Sequence, residues 1–232
     1  MRTIAIGDIH GCYDDLVDII TALEEDGKYN KETDKLVFLG DYIDRGNDSN
    51  KVIAYIRELQ KNNKNVIALM GNHEDMCIDY FKTDYKDATW FRNGGYQTIK
   101  SYNGDYNQLA KDMYWMQHLP LYYEDDNCVY VHAGIDVTKS MNEQSRHCLL
   151  WVRENFIYNS QKYHKKVIFG HTPSLMRIGE AKPYYTSGGN IGIDTGCVFG
   201  GCLTALIMDE GEIEGFYQIK HDLNTEETEM AN

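Results

Sequence analysis

Five short polar motifs follow apolar runs along this 232-residue sequence, and each carries side chains that can bind metal or move protons. They are Gly7-Asp8-Ile9-His10-Gly11, Gly40-Asp41-Tyr42-Ile43-Asp44-Arg45-Gly46, Gly71-Asn72-His73-Glu74, His132-Ala133-Gly134 and Gly170-His171-Thr172. Their donors are carboxylates, an amide and imidazoles, a mixture that suits manganese, iron or zinc better than calcium. We expect two divalent metal ions, with manganese favoured and iron or zinc as alternatives. A paired metal centre of this kind indicates phosphoester hydrolysis.

The metal ligands that the motifs predict come from all five. They are Asp8, His10, Asp41, Asn72, His132 and His171. Asp8 and His10 are two positions apart, so an extended backbone would turn both toward one ion. Asp41 has two oxygens and can bridge ions roughly 3.5 to 4 Å apart, which leaves the last three residues for the second ion. Taken singly, each residue has a simpler explanation as a helix cap, a turn former or a packed core histidine. Their number and placement favour the metal centre.

Four further residues are candidates for proton transfer and substrate binding. His73 directly follows Asn72, so we expect it to face the site without binding metal and to act as a general acid. Asp44 is the carboxylate expected to hold its tautomer. Arg45 offers a planar fork for phosphate oxygens, and Arg153 offers a second, with Asn72 also expected to contact substrate. Either arginine alone would more simply be a surface ion pair.

The spacing of apolar residues predicts the strands and helices that position these side chains. Three buried strands at 3–6, 35–39 and 66–70 each run into a motif, and helical spacing follows the first two. Such units form parallel sheets, whose carboxyl-end loops meet at one edge, so the motifs should converge. Residues 81–118 are expected to be mainly helical, with Asn93 as the one candidate for chemistry there. The second half changes period and indicates a second sheet with a hairpin at 125–127 and strands at 121–124, 128–132, 167–169, 191–193, 203–208 and 213–219.

Length and composition narrow the class of protein. A net charge of -13 and a pI near 5.0 argue against binding nucleic acid or an anionic membrane through the overall field. No apolar run reaches the roughly 20 residues of a membrane span. The six cysteines contain no C-x-x-C pair, which predicts scattered reduced thiols in a soluble cytoplasmic protein rather than a structural zinc knuckle. We expect one catalytic domain over residues 1–220 and a disordered acidic tail over 221–232.

Taken together, the motifs resemble the PPP family of metal-dependent serine/threonine protein phosphatases, within the calcineurin-like metallophosphoesterases. Three further segments, Trp90-Phe91-Arg92-Asn93-Gly94-Gly95, Leu149-Leu150-Trp151-Val152-Arg153-Glu154 and Ile193-Asp194-Thr195-Gly196-Cys197-Val198-Phe199, resemble its compact bacterial and bacteriophage lambda branch. The resemblance covers almost the whole chain. It implies an α/β fold of two packed mixed β-sheets flanked by α-helices (αββα). It also implies that Asp41 is shared between the two ions, that His73 and Asp44 form the acid pair, and that Arg45 and Arg153 clamp phosphate.

The activity that the resemblance implies is hydrolysis of phosphomonoesters on phosphorylated proteins or peptides, by direct attack of a hydroxide held by the two metals. One alternative is a hydrolase of dinucleoside tetraphosphates or other small phosphoesters on the same site. Asp44 and Glu74 follow the protein phosphatase pattern, since symmetrical diadenosine tetraphosphate hydrolases typically lack the first and carry Asp in place of the second. A further alternative is an inactive module that only binds phosphorylated partners.

Overall fold

The computed structural model describes residues 1–83 and 88–223. Ten strands and eight α-helices are found in this part of the chain. In order they are β1 (Arg2–Ile6), α1 (Tyr13–Glu25), β2 (Lys35–Phe38), α2 (Ser49–Asn62), β3 (Val66–Ala68), α3 (Asn72–Lys82), α4 (Tyr96–Ser101), α5 (Tyr106–Gln117), β4 (Tyr122–Glu124), β5 (Cys128–Val131), α6 (Arg146–Trp151), α7 (Glu154–Ile157), β6 (Lys166–Phe169), α8 (Ser174–Ile178), β7 (Tyr184–Tyr185), β8 (Ile191–Gly192), β9 (Cys202–Asp209) and β10 (Glu212–Lys220).

The strands form two five-stranded mixed sheets. The first has the order β10-β9-β1-β2-β3, in which β1, β2 and β3 are parallel and β9 and β10 are antiparallel additions. The second has the order β4-β5-β6-β8-β7, with a parallel centre and an antiparallel strand at each edge. The predicted strand–helix units and the presence of a second sheet are confirmed. The strands predicted at 203–208 and 213–219 were wrongly assigned to that second sheet, because they form β9 and β10 and extend the first sheet beside β1.

Alternation of side chains along the strands explains how the layers stack. In β1, Ala5 belongs to an apolar cluster that also contains Tyr130 and Ile168 of the second sheet, so the two sheets pack face to face. Its neighbours Ile4 and Ile6 point the other way, toward the buried faces of α1 and α2. A strand covered on both faces must be apolar throughout, which accounts for the continuous apolar runs in the sequence. The predicted αββα architecture is therefore confirmed.

The chain is still packed at the first residue of the predicted tail. The predicted tail begins at residue 221, but the His221 side chain is only 7% exposed and its backbone N–H donates to Gly201 O at 3.0 Å. The packed part of the chain therefore extends at least to His221. Residues 224–232 of the predicted tail lie outside the described residues. Within the residues that are described, no helix combines the length and apolar character needed to span a membrane.

Candidate functional site

Loops from both sheets converge at the carboxyl ends of the parallel strands. The residues that bring polar side chains there lie shortly after the ends of six strands, namely Asp8 after β1, Asp41 after β2, Asn72 after β3, His132 after β5, His171 after β6 and Asp194 after β8. All six are buried. The loops are also joined through the backbone, because the N–H groups of Ile9 and His10 both donate to Asp41 O. The predicted convergence of the motifs is present.

Backbone strain is concentrated at this edge. Seven non-glycine residues in the described chain have positive φ, and five of them belong to the motifs: His10, Asp41, Asp44, Arg45 and His171. Each residue held in this region costs of order 1–3 kcal/mol and persists only where the surrounding structure enforces it. Glycine precedes the ligand candidates for a steric reason, since a Cβ at Gly71 or Gly170 would collide with the carboxylate of Asp41 or Asp8 respectively.

Two groups of potential metal-binding atoms share the Asp41 carboxylate. Within the described residues, the donor atoms of His10, Asp41 and His73 lie within 4.8 Å of one another, and so do those of Asp41, His132 and His171. His10 Nε2 is 3.4 Å from Asp41 Oδ2, whereas His132 Nε2 is 3.4 Å from Asp41 Oδ1. The two oxygens of one carboxylate thus face different imidazoles, which is the arrangement that a bridging ligand requires.

The ligands predicted for the second ion are brought together completely. Asn72 Oδ1 lies 2.8 Å from His132 Nε2 and 2.8 Å from His171 Nδ1. The second ring nitrogen of His171, Nε2, is buried and has no hydrogen-bond partner among residues 1–83 and 88–223. Asp41, Asn72, His132 and His171 therefore place amide, carboxylate and imidazole donors around one buried point.

The ligands predicted for the first ion are brought together only in part. Asp8 belongs to neither donor group. Its carboxylate instead accepts the backbone N–H of His171, with its two oxygens at 3.0 and 3.1 Å from the nitrogen. The expectation that Asp8 and His10 face the same side assumed an extended backbone. That assumption was wrong, because His10 has a φ of 47° and the chain is not extended there. Arg45 Nη1 contacts His10 Nε2. His10 Nε2 is thus next to both the Asp41 carboxylate and the Arg45 guanidinium.

The protonation state of the histidines suits metal binding. His10 Nδ1 donates to Ile43 O at 2.7 Å and His132 Nδ1 donates to Leu39 O at 2.9 Å, which leaves each Nε2 lone pair facing the site. Burial lowers the pKa of His10, His132 and His171. The neutral imidazole is the form that binds metals.

Three buried carboxylates at the site indicate that a cation belongs there. Burial, Asp194 and Asp41 raise the pKa of Asp8 well above its usual value, and burial with the charge of Asp41 raises the pKa of Asp194 to about 6. Carboxylates that repel one another in a buried site are stabilised by bound cations. The residues present therefore fit divalent metal ions. Asp194 was missed in the sequence as a site residue, although it follows a strand just as the motifs do.

His73 and Asp44 form a buried hydrogen-bonded pair. His73 Nδ1 lies 2.6 Å from Asp44 Oδ2, and His73 Nε2 is directed toward Asp41 Oδ2 at 3.9 Å. Asp44 also accepts from Thr98 Oγ1 at 2.6 Å and Trp90 Nε1 at 2.9 Å. Burial raises the pKa of Asp44, while the hydrogen bonds from His73, Thr98 and Trp90 oppose that rise. Trp90 begins one of the segments that resemble the family, but its contact with Asp44 and that of Thr98 were not predicted, because neither residue lies in one of the five polar motifs.

Glu74 joins the second and third motifs. Its carboxylate accepts the backbone N–H groups of Asp41 at 2.9 Å, Tyr42 at 2.8 Å and Gly71 at 2.9 Å. Gly71 is the N-cap of α3 and Glu74 is its N3 residue, so the carboxylate serves both the helix start and the Asp41 loop. A Glu three residues after a helix start is a recognisable capping signal, and here it also holds the candidate bridging ligand in place.

The donor groups open onto a surface cavity of about 350 Å³. His10, Asp41 and His73 line it on the inner side, and Arg45 and Arg153 contribute positive charge. Arg153 Nη1 donates to Thr172 Oγ1 at 3.2 Å. The remaining lining residues are Asn72, Asn93, Trp151, Glu154, His171, Thr172, Pro173, Met176, Arg177, Asp194 and Phe199. Asn93, the one candidate predicted between residues 81 and 118, is thus at the cavity wall.

Comparison with known proteins places this geometry in a family. The model of the calcineurin-like phosphoesterase family matches residues 1–193. Serine/threonine-protein phosphatase 1 of Salmonella typhimurium is 32% identical over 210 residues, which cover 86% of this chain and 88% of that protein. An asymmetrical bis(5'-nucleosyl)-tetraphosphatase of Oceanobacillus iheyensis is 28% identical over 244 residues, which cover 91% of this chain and 90% of that protein. The crystal structure of a candidate diadenosine tetraphosphatase superposes with a TM-score of 0.69 at 20% identity, covering 96% of this chain and 94% of that one. The resemblance seen in the motifs is thereby confirmed, and the chain belongs to the calcineurin-like phosphoesterase family.

Proposed function

We propose that this protein is a serine/threonine protein phosphatase that hydrolyses phosphomonoesters at a dinuclear metal site. Asp8, His10 and Asp41 would hold one divalent ion, and Asp41, Asn72, His132 and His171 the other, with manganese favoured by the donor set and iron or zinc also suited to it. When bound, the two ions lower the pKa of a water molecule toward neutrality and polarise the phosphoryl group. The proposal is supported above all by the two donor groups that share Asp41.

The role of His73 is protonation of the leaving oxygen. Its Nδ1 is engaged by Asp44 at 2.6 Å, so the proton that it can deliver is on Nε2, which faces the cavity side of the pair. A carboxylate behind an imidazole stabilises the protonated ring and sets its orientation. His73 also belongs to one donor group, but its tight pairing with Asp44 favours the acid role over a third imidazole ligand.

Arg45 and Arg153 are proposed to bind the phosphoryl oxygens. Both line the cavity that contains His10 and Asp41, and both carry a planar group that can donate two parallel hydrogen bonds. With Asn72, they would stabilise charge that grows on those oxygens in the transition state. Arg45 packs over the Phe199 ring at 5.2 Å, a contact that orients the guanidinium without using its donors.

The acid pair also bears on substrate choice. A serine or threonine alkoxide is a poor leaving group and needs a proton as it departs, whereas a nucleotide phosphate leaves readily as an anion. Asp44 is fully buried and held by three donor side chains, which fixes His73 firmly in its place. A strongly supported acid favours alkyl phosphomonoesters, and hence phosphoproteins or phosphopeptides.

A second candidate function is hydrolysis of dinucleoside polyphosphates or other small phosphoesters. It is favoured by the 28% identity, across 91% of this chain, to a bis(5'-nucleosyl)-tetraphosphatase. The deciding experiment compares kcat/KM for a phosphothreonine peptide and for diadenosine tetraphosphate on the same manganese-loaded protein. We expect the peptide to be preferred, and a strong preference for diadenosine tetraphosphate would replace the proposal with this second function.

An inactive module that binds phosphorylated partners is the remaining alternative. Such a module would have no need for both His73 and Asp44 beside a complete set of ligand candidates. Metal analysis and a chromogenic phosphatase assay on the manganese-loaded protein separate the two cases. Absence of turnover in a sample whose catalytic site holds both metal ions, together with binding of a phosphopeptide, would favour the binding module over the phosphatase.

A further inference from the structure

A second cluster of potential metal ligands lies on the other side of the first motif. The donor atoms of Cys12, Asp15, Cys197 and His221 all lie within 4.8 Å of one another. Cys12, Cys197 and His221 are buried, and the side chain of Asp15 is almost so. None of the four belongs to the site described above, and the sequence separates them by up to 209 positions.

The cluster is assembled by three separate segments of the chain. Cys12 precedes the first residue of α1, and Asp15 lies in the first turn of that helix. Cys197 begins a short 3₁₀-helix over Cys197–Phe199, and His221 directly follows β10. Asp15 Oδ2 is the central acceptor, at 2.6 Å from His221 Nδ1 and 3.6 Å from Cys197 Sγ.

The donor types and spacings fit a tetrahedral zinc site. Zinc bonds of about 2.0 to 2.3 Å place neighbouring ligand atoms of a tetrahedron roughly 3.3 to 3.8 Å apart. The 3.6 Å between Asp15 and Cys197 already falls in this range, and His221 would need to move less than about 1 Å from Asp15 to reach it. Two thiolates, an imidazole and a carboxylate suit zinc much better than magnesium, calcium or manganese.

The surroundings of the cluster also favour a cation. Cys12, Asp15 and His221 line a surface cavity of about 230 Å³, which offers a path for metal entry. Asp14, Asp18, Asp48 and Asp222 line the same cavity and outnumber its basic lining residues, Lys220 and the ligand candidate His221. A concave site of net negative charge attracts divalent cations.

We propose that Cys12, Asp15, Cys197 and His221 bind a structural zinc ion that is separate from the catalytic metals. Four protein ligands close the coordination shell, which is the pattern of structural rather than catalytic zinc. The ion would tie the end of β10 to the loop that carries His10, two residues before Cys12, and to the loop that carries Asp194, three residues before Cys197. The absence of a C-x-x-C motif concealed this site, because its two cysteines come from loops 185 positions apart.

Cobalt substitution tests this site independently of the proposed function. The protein is stripped of metal with a chelator under reducing conditions and reloaded with Co²⁺. Thiolate ligation produces a sulfur-to-cobalt charge-transfer band in the near ultraviolet, and the catalytic donor set contains no sulfur, so the band reports only on the cluster. We expect the band in the wild-type protein and its loss on addition of one equivalent of Zn²⁺ per chain. A cobalt-saturated wild-type protein without the band would overturn the proposal, whether or not the enzyme is active.

Variants identify the ligands. The double variant Cys12→Ser/Cys197→Ser should lose the band and bind one metal equivalent fewer per chain, whereas Cys148→Ser, a partly exposed thiol outside the cluster, should retain both. His221→Ala should weaken zinc binding while leaving the two thiolates in place. Persistence of the band in the double variant would refute the assignment. Should that variant not fold, release of one zinc from the wild-type protein by a thiol-specific mercurial gives the same information. A Cys12–Cys197 disulfide found in zinc-supplemented, reduced protein would contradict the proposed zinc site.

Discussion

The pairing of His73 with Asp44 makes a specific kinetic prediction. Replacing His73 by Asn removes the proposed acid but leaves the ligand candidates intact, and replacing Asp44 by Asn removes the carboxylate that holds it. If Asp44 acts only through His73, the two residues form one functional unit. The double variant His73→Asn/Asp44→Asn should then be no slower than His73→Asn alone, because effects within such a unit are not additive.

The expected magnitudes depend on the leaving group. General acid catalysis contributes about 10² to 10⁴ in rate, which corresponds to about 2.7 to 5.5 kcal/mol of transition-state stabilisation. His73→Asn should therefore lower kcat on a phosphothreonine peptide by that factor. Asp44→Asn should cost somewhat less, since the imidazole remains but loses its 2.6 Å hydrogen bond to a carboxylate. An aryl phosphate, whose phenolate leaves without a proton, should be slowed less than about tenfold by either change.

The assay measures kcat on both substrates with manganese, together with the metal content of each variant. His118→Asn serves as a control, because His118 is an exposed residue at the end of α5 whose ring nitrogen Nδ1 lies 2.7 Å from Tyr114 O, and it takes no part in the candidate site. Equal losses on alkyl and aryl phosphates would refute the acid role and point instead to His73 as a metal ligand. Loss of metal from His73→Asn would support the same conclusion, and fully additive effects would show that Asp44 acts apart from His73.

Three other changes test the supports around the site. Trp90→Phe removes the indole N–H donor to Asp44 and should lower kcat on the alkyl phosphate about tenfold, with little effect on the aryl phosphate. Equal losses on both substrates would contradict a role of Trp90 in supporting the acid pair. Glu74→Gln replaces an acceptor of three backbone N–H groups and should lower the free energy of unfolding by about 2–4 kcal/mol, measured by urea titration. An unchanged unfolding midpoint would show that Glu74 does not stabilise the Asp41 loop. Chelation of the metals should abolish activity and lower the Tm, since the ions bind the native state only, and added manganese should restore both. Full activity after exhaustive chelation would exclude the metal centre.

Local signals were sufficient to predict most of the fold. Ile4 and Ile6 face the helices while Ala5 faces the other sheet, and a strand buried on both sides has to be apolar at every position. Nine of the ten described strands were therefore predictable from the sequence, whereas the two-residue strand β7 and the pairing of β9 with β1 were not. The convergence of the motifs followed from the geometry of parallel strands, whose carboxyl ends share an edge.

Contacts between distant loops were not predictable in this way. Periodicity describes each element but carries no information about which side chains meet after packing. Trp90 entered the sequence analysis only as the start of a segment that resembles the family, yet its indole N–H reaches Asp44, 46 positions earlier. The same reason explains why Cys12 and Cys197 did not indicate a metal site. The local error at Asp8 and His10 had another origin, because a left-handed turn replaced the extended backbone that the spacing argument assumed.

The left-handed backbone at the site has a consequence for how the enzyme would fail under stress. The loops that carry Asp41, Asp44 and His171 are held in unfavourable conformations by the sheets and by Glu74, so their own preference is to relax. Opening of such segments requires less free energy than loss of the two-sheet core. Mild heat or denaturant should therefore inactivate the protein while its circular dichroism is still native, and recovery on cooling should be rapid because only short loops have to close again.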